Sequence, residues 1–188
     1  MYKDLFLGIR QYDCKLSQDT FDKIEKIALE TNNDENYPGF QSMFCDIRES
    51  ILKEIEESFV DCCSDYYKVS KKYGTRYWFY QDWKDNPHRD GQYWHDHIAY
   101  FPNLENPMTF YGLSGIMYLT LPDDSTTTGF SPNADNRTLG SHTPVSNMIY
   151  LPKITKKWFI FPNFYPHFPG ICETENRRIT VGADYWLI

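Results

Sequence analysis

Two histidines one position apart, His95 and His97, lie in the aromatic segment QYWHDHIAYF at residues 92–101. Successive side chains of a β-strand point to opposite faces, so a strand here places both imidazoles on one face and Asp96 on the other. Two imidazoles on one face suit two ligands to one metal ion. Because an H-x-H pair also occurs on ordinary polar strand faces, the pair needs a third ligand before it predicts a metal site.

A third histidine, His167, follows an apolar segment and lies between prolines in FIFPNFYPHFPG, residues 159–170. Prolines restrict the backbone and favour a rigid turn. Two adjacent arginines, Arg177 and Arg178, open the last aromatic and β-branched segment. Imidazole binds iron, copper, nickel or zinc, whereas magnesium and calcium prefer oxygen ligands. A guanidinium can hold a carboxylate through two hydrogen bonds, so an arginine near the metal could anchor an acidic cosubstrate.

Four short motifs follow one another in this part of the chain. They comprise Gly91, His95 and His97 in GQYWHDH; Ser114, Gly115 and Tyr118 in LSGIMYL; Phe161 to His167 in FPNFYPH; and Arg178 to Thr180 in RIT. In their order and strand context, from about residue 76 onward, they resemble the Fe(II)/2-oxoglutarate-dependent oxygenases, in particular a bacterial and phage branch. The resemblance implies a mainly β fold, a double-stranded β-helix (jelly-roll or cupin-like) core whose open end holds iron, with N-terminal helices packed on its main sheet.

The resemblance also implies roles for single residues. His95, His97 and His167 correspond to the ligands of Fe(II), which makes them the catalytic set. Arg178 corresponds to the residue that binds the distal carboxylate of the cosubstrate 2-oxoglutarate, and Tyr118 is a weaker candidate for the same pocket. Such enzymes use O2 to oxidise an unactivated C–H bond, so we expect hydroxylation of a small molecule or a peptide side chain. The cofactor supplies this chemistry, and the protein supplies orientation and excludes water.

Position 97 departs from the usual pattern of this superfamily, in which a two-histidine, one-carboxylate triad binds the iron. Three arrangements are open. Three histidines would leave the metal with a more positive net charge; the segment PHRD could instead supply His88 and Asp90; or Asp96 could reach the metal through a β-bulge. We favour three histidines because the flanking residues register best with them, whereas the proline and glycine around PHRD are typical of a loop.

Other polar residues have simpler interpretations. Arg177 and Arg178 alternate along the predicted strand, so one points inward, and a register shift of one residue would exchange them. His142 in GSHTP is expected to be exposed on a loop rather than to bind a metal. Ser114 has no His or Asp partner in its sequence context, so it is not predicted to be a nucleophile.

Two amphipathic helices are predicted in the first third of the chain, from LSQDTFDKIEKIALE (16–30) and FCDIRESILKEIEESFVDCC (44–63). Ser17 is a suitable N-cap for the first helix. Apolar residues recur at helical spacing on one side of each segment: Phe21, Ile24, Ile27 and Ala28 in the first, and Phe44, Ile47, Ile51, Ile55 and Phe59 in the second. The opposite sides are charged, so both helices must pack against another element.

From residue 73 onward, short aromatic and β-branched segments alternate with turn residues, which favours an antiparallel sandwich or jelly roll. These segments are TRYWFYQDW, YWHDHIAYF, SGIMYLTL, NMIYL, KWFIF and RRITVGADYWLI. We therefore predict one domain over residues 1–188, with helical support at 1–72 and a jelly-roll core at 73–188. The polar loop 122–144, expected to contain one short edge segment, and the insertion-like segment 99–112 should shape the substrate pocket.

Charge and cysteine content narrow the classes of function. Lys and Arg total 19 against 26 Asp and Glu, a net charge of −7, which argues against a nucleic-acid partner because such binding neutralises phosphates. Five cysteines without a C-x-x-C pair indicate reduced thiols. The first residues do not resemble a signal peptide, and no apolar run approaches the ~20 residues that span a bilayer. We expect a cytoplasmic protein, of a bacterial cell or a phage-infected host, with no membrane partner.

Two other functions compete with the oxygenase. A non-catalytic, cupin-like module would hold zinc or nickel and would need no acidic cosubstrate. A structural jelly-roll module would require neither the metal ligands nor an arginine after the last histidine. The arginine pair therefore favours the oxygenase among the three.

Overall fold

The computed structural model describes residues 2–30, 42–43, 49–68, 73–85, 93–97, 99–101, 108–110, 112–135, 137–143 and 145–187. Within these ranges the chain is mainly β. Its helices and strands, in chain order, are β1 (Tyr2–Asp4), β2 (Arg10–Asp13), α1 (Gln18–Glu30), β3 (Ser42–Met43), α2 (Glu49–Tyr67), β4 (Tyr73–Asp82), β5 (Ala99–Phe101), β6 (Met108–Phe110), β7 (Gly112–Thr120), β8 (Gly129–Phe130), β9 (Ile149–Tyr150), β10 (Lys157–Pro162), β11 (His167–Phe168) and β12 (Arg178–Leu187).

Both predicted helices form. Helix α1 begins after Ser17, whose Oγ accepts a hydrogen bond from the backbone N–H of Thr20 at 3.1 Å, so the predicted N-cap is confirmed. Helix α2 is described over Glu49–Tyr67, and the predicted positions Phe44 and Ile47 lie outside the described residues. The remaining predicted apolar positions of the two helices are buried or partly buried in one cluster.

A seven-stranded antiparallel sheet forms the main layer of the molecule, in the order β1-β2-β10-β7-β12-β4-β3. A three-stranded antiparallel sheet has the order β11-β8-β9, and an isolated bridge between His95 and His167 adds the segment around His95 beside β11. Strands β5 and β6 form a separate pair. Within the described residues 93–97, His95 alone forms a β-bridge, so the prediction of a regular strand is wrong for this part of QYWHDHIAYF.

The larger sheet is covered on one face by the two helices. Residues of β12 alternate between its faces, and Ile179, Val181, Ala183 and Tyr185 belong to the buried cluster shared with α1 and α2. Gly115 of β7 lets α2 approach closely, since a Cβ there would lie 2.4 Å from Cε2 of Phe59. The helices thus pack on the main sheet, as the resemblance implied.

A second buried cluster joins the opposite face of the larger sheet to the smaller one. It contains Ile9, Ile116, Tyr118, Phe130, Leu151, Phe159 and Phe161. Strand β8, from the polar loop 122–144, contributes Phe130 and lies in the middle of the three-stranded sheet. The expectation that this loop would contain only an edge segment is therefore wrong.

Two further findings concern the predictions about membrane spans and cysteines. None of the helices in the described ranges combines the length and apolar character needed to cross a membrane. The four cysteines in these ranges carry free thiols: Cys14, Cys62, Cys63 and Cys172. Burial raises the pKa of Cys62 to about 12, so this thiol is neutral and unreactive at pH 7.

Candidate metal centre

The three predicted histidine ligands come together between the two sheets. The ring centroids lie 4.3 Å apart for His95 and His167, 4.8 Å for His97 and His167, and 5.1 Å for His95 and His97. One ring nitrogen of each lies within 4.8 Å of the other two. Backbone pairing sets this arrangement, because the N–H of His95 bonds the carbonyl of His167 at 3.1 Å and the reverse bond measures 2.9 Å.

Two of the rings are each oriented by a hydrogen bond to the backbone carbonyl two residues earlier. Nδ1 of His95 contacts the backbone carbonyl of Tyr93 at 2.9 Å, and Nδ1 of His167 contacts the carbonyl of Tyr165 at 2.9 Å. A carbonyl oxygen only accepts hydrogen bonds, so Nδ1 carries the proton in both rings. The lone pair of each neutral ring is then on Nε2, which is the nitrogen available to a metal ion.

The third ring is held by a buried carboxylate. Nδ1 of His97 lies 2.8 Å from Oδ1 of Asp184, and the hydroxyl of Ser114 donates to the same oxygen at 2.6 Å. Nε of Arg76 donates to Oδ2 of Asp184 at 2.6 Å. Asp184 is 1% exposed, so these donors replace the water that an ionised carboxylate would otherwise need.

This contact network also settles the interpretation of Ser114. Its hydroxyl lies 3.1 Å from Nδ1 of His97, but that nitrogen already faces Asp184. A serine nucleophile needs the histidine nitrogen opposite the carboxylate as its base. Ser114 thus has the His and Asp partners that its sequence context did not indicate, so that premise of the prediction is wrong, and its hydroxyl holds Asp184 and His97 in place.

Burial and neighbouring charges favour neutral rings at His95 and His167 and an ionised carboxylate at Asp184. Burial, followed by the repulsion that His97 would exert, lowers the pKa of His95 to about 4. Burial and the other two histidines hold the pKa of His167 well below its ordinary value. Burial alone would raise the pKa of Asp184, but His97, Arg76 and Ser114 together lower it. At pH 7 the rings His95 and His167 therefore present lone pairs to a metal rather than protons.

The donor set fits a first-row transition metal. Three imidazole nitrogens suit iron, nickel, copper or zinc. A metal bound to all three at about 2.1 Å requires nitrogens no more than about 4.2 Å apart, so a small inward movement of the rings completes the site. Aromatic side chains line the space around the three rings. Phe130 stacks on His167 with centroids 5.6 Å apart, and Trp78 contacts His97 edge-on with centroids 5.0 Å apart.

Of the alternative ligands Asp96, His88 and Asp90, only Asp96 lies within the described residues. Among the residues that the structure describes, Asp96 is not part of the group whose ligand atoms lie within 4.8 Å of one another. His88 and Asp90 of PHRD lie outside the described residues. His142 is exposed on its loop and contacts the ring of Tyr93 with centroids 6.1 Å apart, as expected for a residue outside the metal site.

Arg178 is the inward-pointing member of the arginine pair. It is fully buried, and its Nη1 and Nη2 donate to the backbone carbonyls of Thr126 at 2.7 Å and Gly170 at 3.2 Å. Nη2 also lies 3.6 Å from Oδ2 of Asp82. Within the described part of the chain, Nε of Arg178 is buried without a hydrogen-bond partner. Arg177 instead donates to the side chain of Gln81 at 3.1 Å.

Tyr118 lies near Arg178 on the same inner face. Its hydroxyl donates to Oγ1 of Thr128 at 2.9 Å and accepts from the backbone N–H of Thr128 at 2.7 Å. Burial raises the pKa of Tyr118, while Thr128 and the charge of Arg178 act in the opposite direction. The two residues assigned to the cosubstrate pocket are therefore close enough to interact electrostatically.

Two polar residues of the site were missed in the sequence. Asp184 and Arg76 face each other across the pairing of β12 with β4. The available signal was alternation: Arg178, Thr180, Gly182 and Asp184 share one face of β12, so the face that carries the predicted arginine also carries a carboxylate in an otherwise apolar strand.

Comparisons with known proteins give a fold but no sequence family. No protein-family model matches the chain, and neither does any curated protein. The viral collagen prolyl hydroxylase vCPH of Paramecium Bursaria Chlorella virus-1, solved as a 2-oxoglutarate complex, is 10% identical, with 97% of each chain covered and a TM-score of 0.60. HygX of Streptomyces hygroscopicus, with nickel and 2-oxoglutarate bound, is 9% identical, with 96% of this chain and 82% of HygX covered and a TM-score of 0.65.

AviO1 of Streptomyces viridochromogenes Tue57 is similar to the same extent, with 9% identity, 95% of this chain and 89% of AviO1 covered, and a TM-score of 0.60. HygX has also been solved with iron bound. At these identities the similarity concerns the fold. The chain thus shares its overall fold with proteins whose structures contain 2-oxoglutarate, nickel or iron.

Proposed function

We propose that this protein is an Fe(II)- and 2-oxoglutarate-dependent oxygenase that hydroxylates an unactivated C–H bond of a small molecule or a peptide side chain. The observation that carries the proposal is the convergence of three imidazoles, one ring nitrogen of each within 4.8 Å of the others, with the buried guanidinium of Arg178 on the same inner face. The fold shared with vCPH and HygX, solved with 2-oxoglutarate, supports it.

The proposal includes a double-stranded β-helix as the core. Eight segments are divided equally between the sheets: β4, β7, β10 and β12 lie in the larger sheet, while the segment at His95, β8, β9 and β11 lie in the smaller one. Their orders are β4-β12-β7-β10 and His95-β11-β8-β9. Two facing four-stranded antiparallel sheets are what a jelly roll requires. Strands β1 to β3 and the helices would then be additions to that core.

In this proposal His95, His97 and His167 hold the metal through Nε2. When bound, iron would supply the activation of oxygen that a C–H oxidation needs. The protein's own contribution is to fix each ring through its Nδ1 partner, since a ring held in one tautomer and one orientation loses less entropy on binding. Phe130, Phe161 and Trp78 line the space around the rings and exclude water from it.

Arg178 would bind the distal carboxylate of 2-oxoglutarate, with Tyr118 as a second contact. The buried Nε of Arg178 supports this assignment, because an unpaired buried donor is costly and an incoming carboxylate would satisfy it. The two backbone carbonyls that already hold the guanidinium would fix its orientation. Segments 122–144 and 99–112 would shape the pocket through which the substrate reaches the metal.

The test is an anaerobic titration of the purified protein with Fe(II) and 2-oxoglutarate. We expect a visible charge-transfer absorption band when both are present, and O2 uptake that depends on 2-oxoglutarate after air is admitted. Iron alone, or iron with glutarate, which lacks the 2-oxo group, should give no band. Metal binding without the band or oxygen uptake would contradict the oxygenase proposal.

A metal-binding module without turnover is the second candidate. One observation favours it: the guanidinium of Arg178 already bonds two carbonyls and lies 3.6 Å from the carboxylate of Asp82, which neutralises part of its charge. Such a module would bind zinc or nickel at the same histidines and show no affinity for 2-oxoglutarate. Calorimetric titration of the zinc-loaded protein with 2-oxoglutarate distinguishes the two candidates.

A further inference from the structure

We propose that Asp184 supplies, through His97, the negative charge that a ligand set of three imidazoles lacks. The inference rests on the metal site proposed above, and it assigns a positioning role to a residue outside that ligand set. In a two-histidine, one-carboxylate site the carboxylate binds the metal directly. Here position 97 is a histidine, and the carboxylate lies directly behind it.

The geometry places the charge of Asp184 on the ring of His97. Oδ1 of Asp184 lies 2.8 Å from Nδ1 of His97, and the two side chains are 1% and 8% exposed. A carboxylate that accepts the Nδ1 proton raises the basicity of Nε2, and such partners of metal-bound histidines contribute 10- to 100-fold in metal affinity. Among the described residues, the partners of Nδ1 in His95 and His167 are backbone carbonyls. His97 is thus the ring of the three with an anionic partner.

Two neighbours fix the carboxylate in this role. Ser114 donates to the oxygen that faces His97 at 2.6 Å, which aligns that oxygen with the ring. Arg76 donates to the other oxygen at 2.6 Å and is half exposed. Because this guanidinium is half exposed, water screens its own field at the metal site. The carboxylate is therefore the nearer and less screened of the two charges.

The same pair of strands contains a matched control. Asp184 pairs with Arg76 across β12 and β4, and at the other end of the register Arg178 pairs with Asp82. Asp82 and Asp184 are both buried, at 0% and 1% exposure, and each contacts an arginine. Only Asp184 of the two hydrogen-bonds to a histidine of the cluster in the described structure. Removal of the charge at Asp82 therefore reports the general cost of losing a buried carboxylate, and any additional effect of removing it at Asp184 reports a role in metal affinity.

The experiment compares Asp184→Asn with Asp82→Asn in the full chain. Co(II) affinity is measured anaerobically by competition with a chromophoric chelator, without 2-oxoglutarate, after circular dichroism shows that each variant is folded. We expect Asp184→Asn to lose 10- to 100-fold in Co(II) affinity and to shift the d–d absorption bands of the bound Co(II). Asp82→Asn should retain the wild-type affinity and bands.

A double-mutant cycle with His97→Asp excludes a purely structural role. This variant places a carboxylate at position 97 itself, next to Asp184, where the two negative charges repel each other. In that background Asp184→Asn should leave Co(II) affinity unchanged or raise it. An equal loss in both backgrounds, or no loss in the wild-type background, would overturn the inference.

The result also separates this inference from the proposed function. If the wild-type protein binds no Co(II), Fe(II) or Zn(II), both fail. If it binds metal but shows no response to 2-oxoglutarate, the oxygenase proposal fails while the role of Asp184 is still decided by the affinity of Asp184→Asn.

Discussion

At the scale of single residues, the candidate site depends on what lies behind each imidazole. Backbone carbonyls two positions earlier orient His95 and His167, so the local chain conformation alone fixes those rings. His97 depends on Asp184, which is far away in sequence. The three candidate ligands therefore differ in what orients their rings. Nearby backbone carbonyls orient His95 and His167, whereas the orientation of His97 requires the assembled sheet.

Substitution of the third ligand and of the arginine should have separable effects. We expect His167→Ala to abolish high-affinity metal binding, because two imidazoles remain of three. Arg178→Ala should keep the metal affinity within about threefold and lose at least 10-fold in 2-oxoglutarate affinity, since a buried charged hydrogen bond contributes ~1.5–3 kcal/mol. Calorimetry with Zn(II), then with 2-oxoglutarate on the loaded protein, measures both quantities. The outward-pointing Arg177→Ala is the control, and a loss of 2-oxoglutarate affinity there instead would show that the register was misassigned.

The residues of the candidate metal centre were predictable where the motif is local. His95 and His97 follow from strand alternation, and His167 follows from its position after an apolar segment. Asp184 was not predictable as a partner of His97, because their contact depends on the register of β12 against β4 and on the path of residues 93–97. A single sequence specifies which face a residue occupies more readily than which distant residue lies opposite it.

At the scale of the elements, β12 connects the helix-side core to the candidate metal centre. One face carries the apolar residues that pack on α1 and α2, and the other carries Arg178 and Asp184. Between these two, Gly182 provides the space for Trp78, since a Cβ at Gly182 would lie 2.2 Å from Cε2 of the indole. The indole in turn contacts His97 edge-on at 5.0 Å.

A methyl group at Gly182 should therefore disturb the site as well as the fold. We expect Gly182→Ala to destabilise the protein by ~1–3 kcal/mol through overpacking and to weaken metal binding, because Trp78 must move against His97. Gly115→Ala is the matched control, since its Cβ would meet Phe59 at 2.4 Å on the helix-facing side. Urea unfolding should show a similar loss for both variants, and chelator competition should show weaker metal binding for Gly182→Ala alone. Equal metal affinities for the two variants would show that the position of Trp78 does not affect the candidate metal site.

The elements were predicted well where burial makes the pattern periodic. Helices α1 and α2 and the long strands β4, β7, β10 and β12 lie in predicted segments. Strand β8 was assigned to an edge because Gly129–Phe130 is short and lies in a polar loop. Its neighbours β11 and β9 supply the hydrogen bonds that hold it. Short strands of this kind are stabilised by their partners, which a local window cannot include.

At the scale of the whole molecule, the buried histidines should make the metal-free protein sensitive to acid. The pKa of His95 is about 4 in the folded protein, and the pKa of His167 is also lowered, against ~6.5 for a histidine in the unfolded chain. Below pH 6.5 the unfolded state binds protons that the folded state does not, so stability falls as the pH decreases from 6.5 toward 4. The lowered pKa of Asp184 contributes only below this window.

Urea unfolding of the chelator-treated protein between pH 7 and pH 5 measures this effect. Two histidines that titrate only in the unfolded state give a slope of up to about 2.7 kcal/mol per pH unit. His95→Asn should reduce the slope by about half, because one of the two histidines is then removed. A free energy of unfolding that stays constant from pH 7 to pH 5 would show that these rings titrate normally in the folded protein.

The order of the larger sheet also determines when the protein can fold during its synthesis. Strand β12 lies between β7 and β4, yet it is the last of the described strands to leave the ribosome. Until residues 178–187 have emerged, β4 and β7 each expose an unpaired backbone edge, which in a nascent chain invites association with other chains or with chaperones. His97 likewise lacks its carboxylate partner until then. If the proposed metal site is correct, metal loading should therefore wait until β12 has emerged, and a chain stalled before β12 should hold the ion with lower affinity than a chain that includes it.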